Sequence, residues 1–361
     1  MAAVPSASKR VRYAASAHAR ATTRAPFTHG VASFDPTDDS AILWTRVAPD
    51  GPATVRWSVA PSTDVAPSAT GEVAVPADAD GCVAVTVDGL LPATDYRYWF
   101  EADGHRSPVG RTRTLPASGT DPLRVAVVCC ADYSQGFFGA YRAVAEADVD
   151  LVLHVGDYIY ESEGRGKARV AEPDKTVVTV GDYRARFSQT RGDPDLQALH
   201  MRHPMVAVWD DHDVADNAWR HGAKEHDPEH HGPWEQRLAA AAHARDEWVP
   251  ARLQDPADRL AMWRSLAFGD LQLDSLAHKD IDVLGTLRIL LLLSTHPVER
   301  LRAPDRDQSD GNIAHGNHAA GHDAQDLLDQ CVPLVRCAAE RQTAGGDSSV
   351  RQSTRRFAAN L

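Results

Sequence analysis

The chain has 361 residues, 43% of them hydrophobic and 24% charged, with a formal net charge of −12. The length suggests about two domains at roughly 150 residues each. The negative balance argues against a nucleic-acid binder, which needs a basic face, and no apolar run approaches the ~20 residues of a membrane span.

Residues 1–26 lack acids and are rich in Ala, Ser and Arg. No apolar stretch follows their basic residues, so they do not read as a working secretory leader, and a disordered tail is expected. Residues 27–116 read as all-β. SAILWTRVA, ATVRWSVAP, GCVAVTVDGL and DYRYWFEADG are short β-branched and aromatic runs punctuated by Gly, Pro and Asp, the pattern of a β-sandwich. In GLLPATDYRYWF, Tyr96 is placed like the tyrosine corner of fibronectin-type sandwiches, its hydroxyl bonding back to nearby backbone.

A turn-rich linker, LPASGTDP, opens a different pattern. LRVAVVCC and VDLVLHVGD are nearly continuous apolar runs, as buried parallel strands require. FFGAYRAVAEAD between them has helical spacing, with Phe137, Tyr141, Val144 and Ala145 on one face. DPDLQALHMRHP reads as a helix stopped by Pro204, and MVAVWDD as a third buried strand. The fold class expected over 117–275 is therefore an α/β domain with a mostly parallel core sheet.

Ligands gather beyond the carboxyl ends of such strands, and all three ends carry chemistry. The first delivers Cys129, Cys130 and Asp132; the second His154, Asp157 and Tyr160; the third Asp210, Asp211, His212 and Asp213. Taken singly, each has a plain structural explanation. Asp157 after glycine caps a turn, Cys130 is a small buried hydrophobe, Tyr160 is core, and Asp211 with His212 is an ion pair. Their joint position at three successive strand ends favours metal, because a buried carboxylate is costly unless positive charge faces it. Carboxylate oxygens suit hard cations such as calcium, magnesium or manganese. A phenolate next to a thiolate suits ferric iron, since free tyrosine loses its proton only near pH ~10. Asp157 could bridge two ions, which together hold a phosphate ester and activate a hydroxide.

These residues resemble the PhoD-type alkaline phosphatases, a branch of the calcineurin-like metallophosphoesterases. The similarity runs from FTHGVASFDP through GDYIYE and WDDHDVADNAW to about WRSLAFGDL at Trp263 to Leu271. It implies a fibronectin-like N-terminal domain before a metallophosphatase domain, and metal-dependent hydrolysis of phosphate esters by a metal-activated hydroxide. It implies Cys130, Asp157 and Tyr160 as iron ligands, Asp157 as the bridge, Asp211 as a second-metal ligand and Asn217 as a candidate calcium ligand. His212 would be the charge stabiliser or leaving-group acid. Iron and calcium are the implied metals, another divalent ion being possible. A small-molecule or polymer phosphate ester is the implied partner of an exported, secreted or periplasmic, monomeric protein.

The sequence departs from that pattern in places. Phe34 stands where the family usually has glycine, and Cys129 where it usually has serine. After Leu271 no counterpart of the family's late Gly-Asp-x-His-like loop is found. Residues 276–361 read as a divergent, poorly ordered tail, such as a shifted reading frame would yield, leaving a sheet edge uncovered. On this reading the alternative to an active phosphoesterase is an impaired remnant that acts at most as a binding module. His221, His226, His230 and His231 are expected in a solvated insertion loop rather than an auxiliary metal site. RDEWVP, 245–250, is expected to be a helix end packed on the core. Five cysteines, at 82, 129, 130, 331 and 337, make no disulfide framework, and neighbours such as Cys129 and Cys130 do not easily bridge.

Overall fold

The computed structural model describes residues 26–48, 51–119, 123–164, 166, 168–219, 221–253, 264–269, 271–276, 288–292 and 334–337. Of the tail from 276, it describes Leu276 and two short strands. The histidines of AHGNHAAGHD, the expected disorder of the remaining tail, and residues 1–25 lie outside the described residues.

The N-terminal strands are β1 (Val31–Phe34), β2 (Ala41–Arg46), β3 (Thr54–Pro61), β4 (Ala69–Ala74), β5 (Cys82–Val87), β6 (Asp95–Ala102), β7 (His105–Arg106) and β8 (Gly110–Arg113). They build two facing layers, β1-β2-β5 and β4-β3-β6-β7, with β8 beside β6. Between the layers sits an apolar cluster that includes Phe27, Leu43, Val59, Val83, Tyr98 and Phe100. The Leu91 N–H donates to the Tyr96 hydroxyl at 2.7 Å, the back-bond expected of a corner tyrosine.

The second half contains β9 (Leu123–Val128), α1 (Gly139–Glu146), β10 (Leu151–His154), α2 (Val180–Arg191), α3 (Pro194–Arg202) and β11 (Met205–Ala207). A single 3-10 turn follows (Asp211–Asp213), then α4 (Pro228–His231), α5 (Trp234–Trp248), β12 (Arg264–Phe268), β13 (Leu271–Leu276), β14 (Arg288–Leu292) and β15 (Leu334–Cys337). Local chemistry sets the helix ends. Thr179 and Asp182 form a capping box on α2; Asp193 caps α3 ahead of Pro194, and Pro204 follows its last turn.

β9, β10 and β11 are parallel neighbours, as their apolar runs predict. The full seven-stranded sheet, β15-β9-β10-β11-β1-β2-β5, is mixed rather than mostly parallel. β1 joins β11 in parallel, carrying the antiparallel β2 and β5 onto the same sheet. β15 lies antiparallel on the outer edge of β9, so that edge of the sheet is paired. One layer of the N-terminal region is thus hydrogen-bonded to the core sheet through Phe34 and Met205. Phe34 is itself core, packed against His200.

Both faces of the parallel strands are buried. Ala126, Val152 and Met205 belong to the cluster under the helices, with Tyr183, Phe187, Leu199 and Trp248. Val125, Leu151, Leu153 and Val206 face Leu115 and Phe268 on the other side. One correction concerns α1. Its buried face is Phe138, Tyr141, Val144 and Ala145, whereas Phe137 precedes the helix and is 78% exposed. The expected helix end at Arg245–Trp248 does pack on the core, both residues being buried.

Candidate metal centre

The three parallel strands release their chains at one end of the sheet, and the loops meet there. Gly156 makes the meeting possible. Its φ is +106°, and a Cβ there would lie 2.5 Å from the Asp210 nitrogen and 2.4 Å from its Cβ. Only glycine lets the β10 and β11 loops approach so closely.

Asp213, fully buried, then locks the turn. Its carboxylate accepts the backbone N–H groups of Asp157 and Tyr158 at 2.9 Å and of Asp210 at 3.0 Å. Burial raises its carboxyl to about 6, against the pull of the Arg245 guanidinium. Asp157 is thereby held at φ +54°, and Cys130 and Asn217 also stand in the left-handed region at +57° and +53°. L-residues other than Asn and Asp rarely adopt this conformation, and such backbone concentrates at functional sites.

Asp157 is the hub. Its Oδ2 accepts the Tyr160 hydroxyl at 2.9 Å and the Cys130 thiol at 3.5 Å. Its Oδ1 accepts the His212 backbone N–H at 3.3 Å. Asp157, Asp211 and His212 each present an atom within 4.8 Å of the others. Burial, then the charge of Asp213, then Cys130 push the Asp157 carboxyl up to about 9. Burial likewise raises the Tyr160 phenol. The Cys129 thiol beside it, with burial, raises the Cys130 thiol. Three acids that resist ionisation together form a donor set short of positive charge, and this suits a multivalent cation.

His212 stacks on Tyr160, ring centroids 4.2 Å apart. Its Nδ1 meets Glu161 Oε2 at 2.8 Å, and Glu161 Oε1 accepts the Asp216 N–H at 2.8 Å. Burial opposes charge on this imidazole, but the Glu161 carboxylate wins and raises it to about 9. Asn217 stands alongside the cluster. Its backbone N–H meets Asp211 Oδ2, while its side-chain amide donates to Asp216 at 2.6 Å.

Other strand-end residues do not converge. His154 is fully buried on the helix side, its Nε2 2.9 Å from the Tyr141 hydroxyl, and burial lowers it to about 3. Asp132 accepts Ser134's N–H and hydroxyl. Asp210 caps the Asp211 turn. In the 221–231 loop, His230 pairs with Asp227 in the open and His226 packs on Trp234, without a third donor of metal-binding type among the described residues.

Sequence reasoning gave no role to Glu161 or Arg186. Glu161 carries a signal, an acid that ends the GDYIYE motif directly after Tyr160. The buried Arg186 guanidinium binds the carbonyls of Tyr160, Ser162, Glu172 and Pro173, tying down the loop over the site. No local pattern announces that long-range clamp.

The chain is similar to known proteins in both of its halves. The PhoD-like phosphatase family model matches residues 125–281, and the model of the PhoD-like phosphatase N-terminal domain matches residues 13–116. The curated alkaline phosphatase D of Bacillus subtilis (strain 168) is 40% identical over 212 residues, which are 53% of this chain and 36% of that protein. A solved structure of PhoD superposes with TM-score 0.64 at 34% identity, covering 69% of this chain and 51% of that one. This chain therefore spans about a third of the first relative's length and half of the second's. A fibronectin type III domain of the human collagen alpha-1(XX) chain matches 29% of this chain with TM-score 0.21, too little to carry a fold assignment. With both regions matched in order, the chain belongs to the PhoD-like phosphatase family.

Proposed function

We propose that this chain hydrolyses phosphate esters at a cation centre held by Cys130, Asp157, Tyr160 and Asp211, with Asn217 at its margin. The observation that carries the reading is the division of the Asp157 carboxylate, Oδ2 toward the thiol and phenol and Oδ1 toward the Asp211–His212 turn. A carboxylate so placed can serve two neighbouring cation positions. Iron on the thiol and phenol side, with calcium on the carboxylate side, is the metal set these donors favour. When bound, such ions polarise the phosphoryl oxygens and lower the pKa of water so that it attacks near neutral pH.

The protein's own residues do the rest. Asp213 fixes the backbone that presents Asp157. Glu161 keeps His212 protonated and fixes its tilt, so the imidazolium offers charge and a proton to the leaving oxygen. The Arg186 clamp holds the Tyr160 carbonyl and with it the phenol's position. Substrates are small or polymeric phosphate esters of an exported, monomeric enzyme, with 27–116 as a fibronectin-like domain and 117–275 as the catalytic one. Among the described residues no helix is long and apolar enough to cross a membrane.

The test is turnover of p-nitrophenyl phosphate and of its bis-ester after loading with iron and calcium. The wild-type chain should hydrolyse at least one of them. Turnover no greater than that of Cys130→Ala contradicts the proposal.

A further inference from the structure

Side chains alternate along the strands of the N-terminal region. On β6, Tyr96, Tyr98 and Phe100 face the other layer, so Arg97, Trp99 and Glu101 stand on the outer side, away from the core sheet. There, with Arg56 of β3, Glu72 of β4 and Arg106 of β7, they line a cavity of about 650 Å³. A tryptophan on an outer face ought to meet water, yet Trp99 is only 7% exposed. The Arg106 guanidinium lies over its ring, 4.4 Å from the centroid. A buried indole N–H ordinarily finds an acceptor. Trp99 Nε1 has none among the described residues, and neither does Arg97 Nε, two residues away on the same side of the strand.

A buried donor without an acceptor is costly, and folded proteins keep few of them. Both orphans here are donors, so the group that satisfies them is an acceptor. Charge says which kind. Arg56 pairs with Glu72 at 2.8 Å and Arg106 with Glu101 at 3.1 Å, so the two acids of the cavity are already answered. Arg97 has no carboxylate partner among the described residues, and its terminal nitrogen donates to the Asp64 carbonyl instead. In a chain of net charge −12, this leaves a local recess with one uncompensated guanidinium and two unmet N–H groups. We propose that the outer face of the N-terminal region is a binding site for an oxyanion, a phosphate or carboxylate group carried on a larger molecule, held by Trp99 Nε1 and the Arg97 guanidinium. The cavity is larger than the bare group needs and lies in the range that admits an organic ligand. It shares no residue with the cation centre and does not rest on the function proposed above.

The test titrates the full chain, metal-free, by calorimetry with inorganic phosphate, linear polyphosphate and polygalacturonate. Trp99→Phe keeps an aromatic ring and removes the N–H; Arg97→Gln removes the guanidinium. Wild type should bind at least one of the two polymers saturably, and each variant should weaken that binding about tenfold or more. Preference for polyphosphate identifies the group as phosphate, and preference for polygalacturonate identifies it as carboxylate. Circular dichroism checks that both variants fold; if Trp99→Phe does not, Arg97→Gln decides alone. No saturable binding of either polymer, or affinities unchanged in the folded variants, overturns the proposal. Inorganic phosphate bound as tightly as the better polymer overturns the part given to the carrier.

Discussion

The Glu161 carboxylate ties His212 to the backbone of the next turn, one oxygen on the imidazole Nδ1 and the other on the Asp216 N–H, each at 2.8 Å. The contact joins the loop after β10 to the loop after β11. It also sets the charge of the His212 imidazole.

From this pair follows a pH dependence. His212 is protonated below about 9, so a rate that needs its proton should fall as pH rises through that value. Glu161→Gln removes the charge that raises the imidazole, and the alkaline limb should move toward the ordinary histidine value of about 6.5. At pH ~8 the rate on a poor leaving group should drop roughly tenfold to a hundredfold. pH–rate profiles with phenyl phosphate and p-nitrophenyl phosphate measure this, the better leaving group losing less. An unmoved alkaline limb contradicts the assignment.

Metal uptake should release protons. The folded protein holds Asp157 up to about 9 and raises Cys130 and Tyr160 as well, yet each must be deprotonated to bind a cation. Calorimetry in two buffers of different ionisation enthalpy near pH ~7 should show net proton release. Identical heats in both buffers would count against these residues as ligands.

Asp213 carries the turn beneath the centre. Asp213→Ala leaves the N–H groups of Asp157, Tyr158 and Asp210 without their acceptor in a buried site. The expected loss is about 3 kcal/mol or more, read as a lower denaturation midpoint. A change below about 0.5 kcal/mol would show that the turn holds without it.

Acid should destabilise the fold through buried neutral imidazoles. Burial lowers His154 to about 3; burial, then Arg46 and Arg191, lower His29 to about 3; burial, then Arg191, lowers His200 well below its ordinary value. In the unfolded chain these groups gain a proton below about 6.5. Between about 6.5 and 3 the unfolded state binds more protons, so stability falls as pH falls, by up to about 1.4 kcal/mol per pH unit for each histidine. Denaturation at pH ~7 and ~5 measures the slope, and His154→Gln should make it shallower by one proton. Equal slopes would mean that His154 is not the neutral core group described.

Much of this was legible in the residues. Continuous apolar runs announced β9, β10 and β11, because strands buried on both faces need no alternation. Gly-Asp after such a run pointed to the centre. His154 did not belong there, and its parity could have shown it. It shares a face with Val152, two residues back, and that face meets the helices. Phe137 was misplaced by one position because helical spacing does not mark where α1 begins. The parallel pairing of Phe34 with Met205 was invisible, since contacts between strands so far apart in sequence leave no local pattern.

The most direct measurement is metal content. Wild type and Asp157→Ala, loaded with ferric iron and calcium, desalted and analysed by mass spectrometry of the elements, should differ sharply. Wild type should retain iron and calcium and turn over a phosphate ester, and the variant should retain little of either. Equal retention in both, or none in the wild type, would contradict the claim that these loops were shaped to share a cation.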